Sequence, residues 1–166
     1  PVLRQEAENV HKVSKKIQQL IDDLFDTMYA YDGVGLAATQ IGEMKRVFVL
    51  DCATEDNPLP KMVFVNPVIV KKSGAIVSKE GCLSFPNVYT EVKRYENIVV
   101  RYTDEKGKRR EMNVEGGGLL CRAIQHELDH LDGILFVDHV MDRFSTDTLL
   151  KDHDLPPVEI DHIIEE

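Results

Sequence analysis

Gly116-Gly117-Gly118-Leu119-Leu120-Cys121-Arg122-Ala123-Ile124-Gln125-His126-Glu127-Leu128-Asp129-His130-Leu131-Asp132-Gly133 sets the architecture of this chain. Leu119, Leu120, Ala123, Ile124, Leu128 and Leu131 are apolar at helical spacing. Glycines stand on both sides, and Gly133 is placed to end a helix. The pattern predicts a helix of about 14 residues, mostly buried. His126 and His130 lie four apart, so they share one face of it, a turn from each other. Burying two imidazoles costs desolvation unless something binds them. One divalent metal ion would satisfy both.

Glu127 projects about 100° round the helix from His126, where it can reach a water at the metal without ligating it. The arrangement fits the H-E-x-x-H pattern, whose chemistry is metal-assisted hydrolysis. A catalytic site of this kind takes a third protein ligand and keeps a position open. The longer metzincin spacing runs on to residue 136, and Phe136 stands there where a histidine is required, which excludes that class. A thermolysin-like site needs a carboxylate from a second helix. Asp142, Asp147 and Asp152 are available, but they sit in a polar stretch with little sign of such a helix.

Three cysteines remain. Cys121 points about 140° and 180° away from the two histidines and is read as a core thiol. Cys52 follows the apolar run Val47 to Leu50 and reads as a small buried residue. Cys82 lies between Gly81 and Leu83, in a short segment where a strand meets another element, and is the remaining candidate. A purely structural metal site is a competing reading, but structural zinc usually has four protein ligands, and three are found here.

Three stretches occur in the order and spacing of a known family. They are Gly33-Val34-Gly35-Leu36-Ala37-Ala38-Thr39-Gln40, Glu80-Gly81-Cys82-Leu83-Ser84 and Gln125-His126-Glu127-Leu128-Asp129-His130. On these the chain resembles the peptide deformylases, metalloenzymes that remove the N-formyl group from nascent polypeptides. The likeness runs from about Leu3 to the region of Asp142. It implies metal ligation by Cys82, His126 and His130, with Glu127 as general base. It also implies that the Gln40 side-chain amide and the Leu83 backbone N–H donate to the oxyanion, and that Gly35 hydrogen-bonds the substrate backbone. The implied cofactor is one divalent ion, Fe(II) foremost, with Zn, Ni or Co as alternatives. The implied partner is a nascent formylated peptide near the ribosome, met by a monomer. Methionine specificity needs an apolar slot, for which Val34, Leu119 and Ala123 are the candidates. Arg122 is expected to send its charged end to solvent at the mouth of that slot. Glu80 is expected to pair with Arg94 and steady the segment carrying Cys82. The run Gly116 to Gly118 is longer than the family usually keeps, which predicts a mobile helix start.

Gly33 to Ala38 also fits G-x-G-x-x-A, the dinucleotide fingerprint, which requires a strand before it. What precedes it is an amphipathic helix, with Ile17, Leu20, Ile21, Leu24, Phe25 and Met28 on one face and Ser14 as N-cap. That helix is expected to end by Tyr31-Asp32-Gly33. Strands are expected at Arg46 to Cys52, Met62 to Lys71, Ala75 to Gly81, Tyr89 to Arg94, Asn97 to Tyr102 and Arg109 to Val114. Helix, strands and helix in that order predict an α+β fold, and the family likeness implies the same: antiparallel β-sheets packed around a central metal-binding helix.

At 166 residues one catalytic domain over 1–166 is expected, with no role assigned to the tail from about 143. The apolar share of 43% and charged share of 30% are those of an ordinary globular protein. No apolar run approaches a membrane span, and no secretory signal is visible, so a cytoplasmic enzyme is expected. Three cysteines at no framework spacing agree with a reducing compartment. A net charge of −9 opposes nucleic-acid binding. Lys106, Lys108, Arg109 and Arg110 bracket Gly107 and read as the flanks of a hairpin turn. His11, His139, His153 and His162 lack metal spacing and are read as structural or solvated.

Overall fold

The computed structural model describes residues 6–55, 58–82 and 85–134, of which 78, 80–82 and 85–90 by backbone only. The first helix, α1, spans Lys15–Ala30. The Ser14 hydroxyl accepts the Ile17 N–H at 3.3 Å, satisfying one of the donors that a helix start leaves open. The expected apolar face, Ile17 to Met28, is buried throughout. Asp32 takes a left-handed φ of 55° past the helix end, and the Gly33 N–H returns to the Met28 carbonyl at 2.9 Å.

Seven strands follow. They are β1 (Gly35–Ala37), β2 (Val47–Leu50), β3 (Met62–Ser73), β4 (Ile76–Cys82), β5 (Phe85–Arg94), β6 (Asn97–Thr103) and β7 (Arg109–Val114). Five of them form one antiparallel sheet in the order β1-β2-β3-β6-β7, and β4 pairs with β5 in a sheet of their own. The expected strands are present. However, β5 starts at Phe85 rather than Tyr89, and β1 lies in a segment where no strand was expected. A short turn of 3-10 helix, Ala38–Ile41, follows β1 where a Rossmann fold would open a full helix.

The second helix, α2, spans Leu119–Leu131. The large sheet lies between the two helices, and β2 shows why all four of its residues are buried. Val47 and Val49, with Val63 and Val65 of β3, face the α1 cluster of Leu20, Leu24 and Met28. Phe48 and Leu50, with Phe64, Ile98 and Val100, face the α2 cluster of Cys121, Ile124, Leu128 and Leu131. Alternation along a strand divides the two sets. Phe48 stacks on Phe64 with ring centroids 4.7 Å apart. Each large apolar side chain buried this way contributes about 1.5–3 kcal/mol, so the seat of α2 on the sheet is rigid.

The glycine run before α2 is anchored rather than loose. Gly116 and Gly117 have φ of 88° and 63°, where other residues are strained. The Gly117 N–H donates to the Glu96 carbonyl at 2.8 Å, and a Cβ on Gly117 would stand 2.7 Å from Ile76 Cδ1. At the other end Arg46 Nη1 donates to the Leu131 carbonyl at 3.4 Å and pairs with Asp132 at 2.8 Å, a cation at a helix C-terminus. The basic cluster does form the β6–β7 turn: Gly107 has φ 80°, and Asp104 accepts from the Lys106 and Lys108 N–H groups and from Arg110. Among the described residues, no helix is long and apolar enough to cross a membrane.

Candidate active site

Eight of the thirteen α2 residues are buried, among them Gln125, Glu127 and His130. A helix buried on most of its sides holds its polar groups in place, because each is surrounded by packed neighbours. His130 is fully buried and His126 partly so. Their rings stand 5.0 Å apart and 71° to each other. The carboxylate of Glu127 comes within 3.7 Å of His126 Nε2. One ligand atom each from His126, Glu127 and His130 lie within 4.8 Å of one another.

Burial holds the His130 imidazole down to about 3, reinforced by His126 and Arg94 against the opposing pull of Asp129. It is therefore neutral at ordinary pH, the form in which an imidazole ligates a metal. Two imidazoles and a carboxylate converging on one point, in a site this buried, fit a divalent ion.

The first motif is bolted to this centre. Thr39 Oγ1 donates to the His130 carbonyl at 3.4 Å. Gly35 packs beneath Glu127: a Cβ there would stand 3.1 Å from Glu127 Cγ and 3.3 Å from its Cδ, and 2.7 Å from Leu50 Cδ2. Glycine is thus required by close approach. Gln40 Oε1 accepts the Ala37 N–H at 3.0 Å. Since that N–H can only donate, the Gln40 carbonyl must face it, and the amide nitrogen is the end turned away. β1 lies at an edge of the five-stranded sheet.

Val34 and Leu119 are exposed at 44% and 37%, whereas Ala123 is buried in the α2 core cluster. Cys82 closes β4 opposite Phe85, where the strand meets β5; its side chain, and Leu83 altogether, lie outside the described residues. So do the tail from about 143 and His139, His153 and His162. Arg122 is half-buried, and its Nε donates to the Gly117 carbonyl at 3.2 Å. Arg94 is buried and ion-paired with Asp129, and the side chain of its expected partner Glu80 lies outside the described residues. Cys121 and Cys52 are buried thiols. Cys121 lies against the Tyr95 and Glu96 carbonyls at 3.5 and 3.4 Å. Cys52 is pushed up to about 11 by burial, with Asp51 and Glu127 acting in the same direction.

Two residues of the centre escaped the sequence reading. Gln125 Oε1 accepts the Tyr95 N–H at 2.8 Å, and its Nε2 donates to the Tyr95 carbonyl at 2.8 Å and to the Cys121 carbonyl at 3.2 Å. Asp129 holds Arg94. The desolvation cost that singled out the histidines applies equally to these polar residues, each just before a histidine on a buried helix, and it was the available signal.

The profile of the polypeptide deformylase family matches residues 1–145. The peptide deformylase of Thermodesulfovibrio yellowstonii is 44% identical over 139 residues, covering 84% of this chain and 83% of that one. That of Agrobacterium fabrum is 43% identical over 152 residues, 91% of this chain and 88% of its own. Among solved structures, the peptide deformylase of Synechococcus elongatus in complex with actinonin superposes with a TM-score of 0.88 at 39% identity, covering 99% of this chain and 88% of that one. The Ehrlichia chaffeensis peptide deformylase gives 0.84 at 34% identity, covering 92% and 89%. With a metal-ready helix at its core and likeness over most of its length, this chain belongs to the polypeptide deformylase family.

Proposed function

We propose that Cys82, His126 and His130 hold one divalent ion and that Glu127 moves the proton in deformylation. The family's reaction is hydrolysis of the formyl amide at the N-terminal formyl-methionine of nascent polypeptides, with release of formate. The observation that supports these roles is the convergence of the His126, Glu127 and His130 donors around a fully buried, neutral imidazole. A soft thiolate with two imidazoles suits Fe(II), our choice, and equally Zn, Ni or Co. When bound, such an ion supplies Lewis acidity that brings the pKa of a water toward about 7.

Glu127 takes a proton from water as the water oxygen attacks the formyl carbon. It then returns that proton to the amide nitrogen as the C–N bond breaks. Negative charge gathers on the formyl oxygen, and the Gln40 amide and the Leu83 N–H are the donors assigned to it. The Ala37 contact supports this for Gln40, since it presents the nitrogen end. An extended peptide would lie along the edge strand β1, with Gly35 bonding its backbone. Val34 and Leu119 would flank the methionine side chain, with Ala123 four residues along the same face of α2. One catalytic domain, acting as a monomer near the ribosome in a reducing cytoplasm, completes the reading. The reducing compartment is supported by the free thiols Cys52 and Cys121, and the net charge of −9 stands against direct nucleic-acid contact.

The test is an anaerobic assay of formate release from formyl-Met peptides, with an unformylated peptide beside it. Wild type should release formate, and Glu127→Ala should lose about 10²–10⁴ in rate while still binding one ion per chain. Cleavage of the unformylated peptide without formate would transfer the site to internal peptide hydrolysis. Unchanged formate release by Glu127→Ala would remove its role.

A further inference from the structure

The proposed ligands come from two separate parts of the fold. His126 and His130 ride on α2, whereas Cys82 ends β4, whose hydrogen-bonded partner is β5 in a two-stranded sheet of its own. Metal–ligand distances tolerate only about 0.2 Å, so the hairpin has to be aimed accurately at the helix. Cys82 is six residues along β4 from Ile76, up to about 20 Å at strand rise, and a swing of about 3° at the Ile76 end would move it about 1 Å. Among the described residues, several fastenings meet at that end. Ile76 pairs with Arg94, the last residue of β5. Arg94 is ion-paired with Asp129, and the next residue, Tyr95, has both its N–H and its carbonyl held by the Gln125 amide at 2.8 Å. Ile76 itself rests against Gly117 at the start of α2. Gln125 and Asp129 are four apart, on one face of α2, and each immediately precedes a histidine.

Resting on the ligand set proposed above, we propose that Gln125 and Asp129 are positioning residues that lock the Arg94–Tyr95 end of the β4–β5 hairpin onto α2 and thereby aim Cys82 at the metal held by His126 and His130. Two attachments of different kind fix an orientation where one fixes only a point. The planar amide of Gln125, bonded at both ends, sets the rotation of the Tyr95 peptide groups. The Asp129–Arg94 pair, nearly excluded from solvent on the arginine side, sets the approach of the strand. Both residues act through the hairpin and touch neither ion nor substrate in this role.

The experiment loads the full chain with Co(II). It reads Co(II) affinity by chelator competition and the sulfur-to-cobalt charge-transfer absorption. Gln125→Ala and Asp129→Ala should each bind Co(II) about tenfold more weakly, with a diminished or shifted charge-transfer band, well below their unfolding midpoints. Asp129→Glu, which can still reach Arg94, should recover more of the band than Asp129→Ala. Residues that merely stabilised the fold would lower the unfolding midpoint and leave affinity and band at wild-type values, and that result overturns the proposal. If Gln125→Ala does not fold, Gln125→Glu keeps the acceptor for the Tyr95 N–H and withdraws the donor to its carbonyl. Weakened binding with an altered band then supports the proposal, and wild-type values overturn it. Cys82→Ser separates this from the ligand reading. A band surviving in Cys82→Ser removes the ligand set itself, whatever Gln125→Ala does. A band lost there, with wild-type binding in Gln125→Ala, removes only the positioning role.

Discussion

Replacing Gly35 by alanine puts one methyl group where β1 passes under the Glu127 carboxylate. The backbone is extended there, so alanine meets no strain of its own, and the whole effect comes from contact. Its Cβ would stand 2.7 Å from Leu50 Cδ2 and 3.1 and 3.3 Å from Glu127 Cγ and Cδ. Leu50 and Glu127 are 1% and 3% exposed, so neither can swing into solvent. Overpacking of this kind costs about 1–3 kcal/mol of stability. Glu127 has to retreat by a few tenths of an ångström. Since a misplacement of about 1 Å can cost about 100-fold, kcat should fall about tenfold, roughly 1.4 kcal/mol of barrier. The assay is formate release at saturating and at limiting formyl-Met peptide, with metal content and denaturant unfolding measured on the same samples. KM should change less than kcat, because Gly35 keeps its backbone groups, and one ion per chain should remain. Gly35→Ala combined with Leu50→Val removes the 2.7 Å conflict and leaves the one with Glu127. The double variant should therefore regain stability but not kcat. Wild-type kcat in Gly35→Ala, or full recovery of kcat in the double variant, would refute the packing of Glu127 on Gly35 as what positions the base.

Gln40→Glu keeps an oxygen for the Ala37 N–H but replaces the amide donor with a carboxylate oxygen. Formate release should drop about 10²–10³-fold with unfolding unchanged, and near-normal turnover would take Gln40 out of the oxyanion site. Asp104 tests the β6–β7 turn by pH. Burial alone would raise its carboxyl, but the Lys108 N–H, the Arg110 guanidinium and the Lys106 N–H outweigh burial and hold it below its ordinary 3.8. A carboxylate with a lowered folded-state value adds stability that is complete above 3.8 and disappears as pH falls through the lower value. The unfolding midpoint of Asp104→Asn should therefore lie below wild type at neutral pH and converge with it in acid. A difference independent of pH would exclude the charge as its source.

Much of this fold is written in short-range periodicity. Ile17 to Met28 recur at helical spacing and Ser14 precedes them, so α1 and its cap could be read directly. The same holds for α2, whose thirteen residues match the predicted span nearly end to end, and for the alternating strand β7. β1 could not be read that way. Three residues are too few to show a period, and Gly35–Ala37 becomes a strand only because β2 supplies hydrogen bonds from the other side of a loop.

Local spacing alone puts His126 and His130 on one helical face with Glu127 beside them, since 3.6 residues per turn depends on nothing distant. What lies around them came from long-range packing. Gly35 came under Glu127 through the β1–β2 pairing, and Gln125 found its partner at Tyr95, thirty residues away. Such contacts join residues distant in the chain, so no local spacing encodes them. They follow from the packing of α2 against the sheet on one side and the β4–β5 exit on the other.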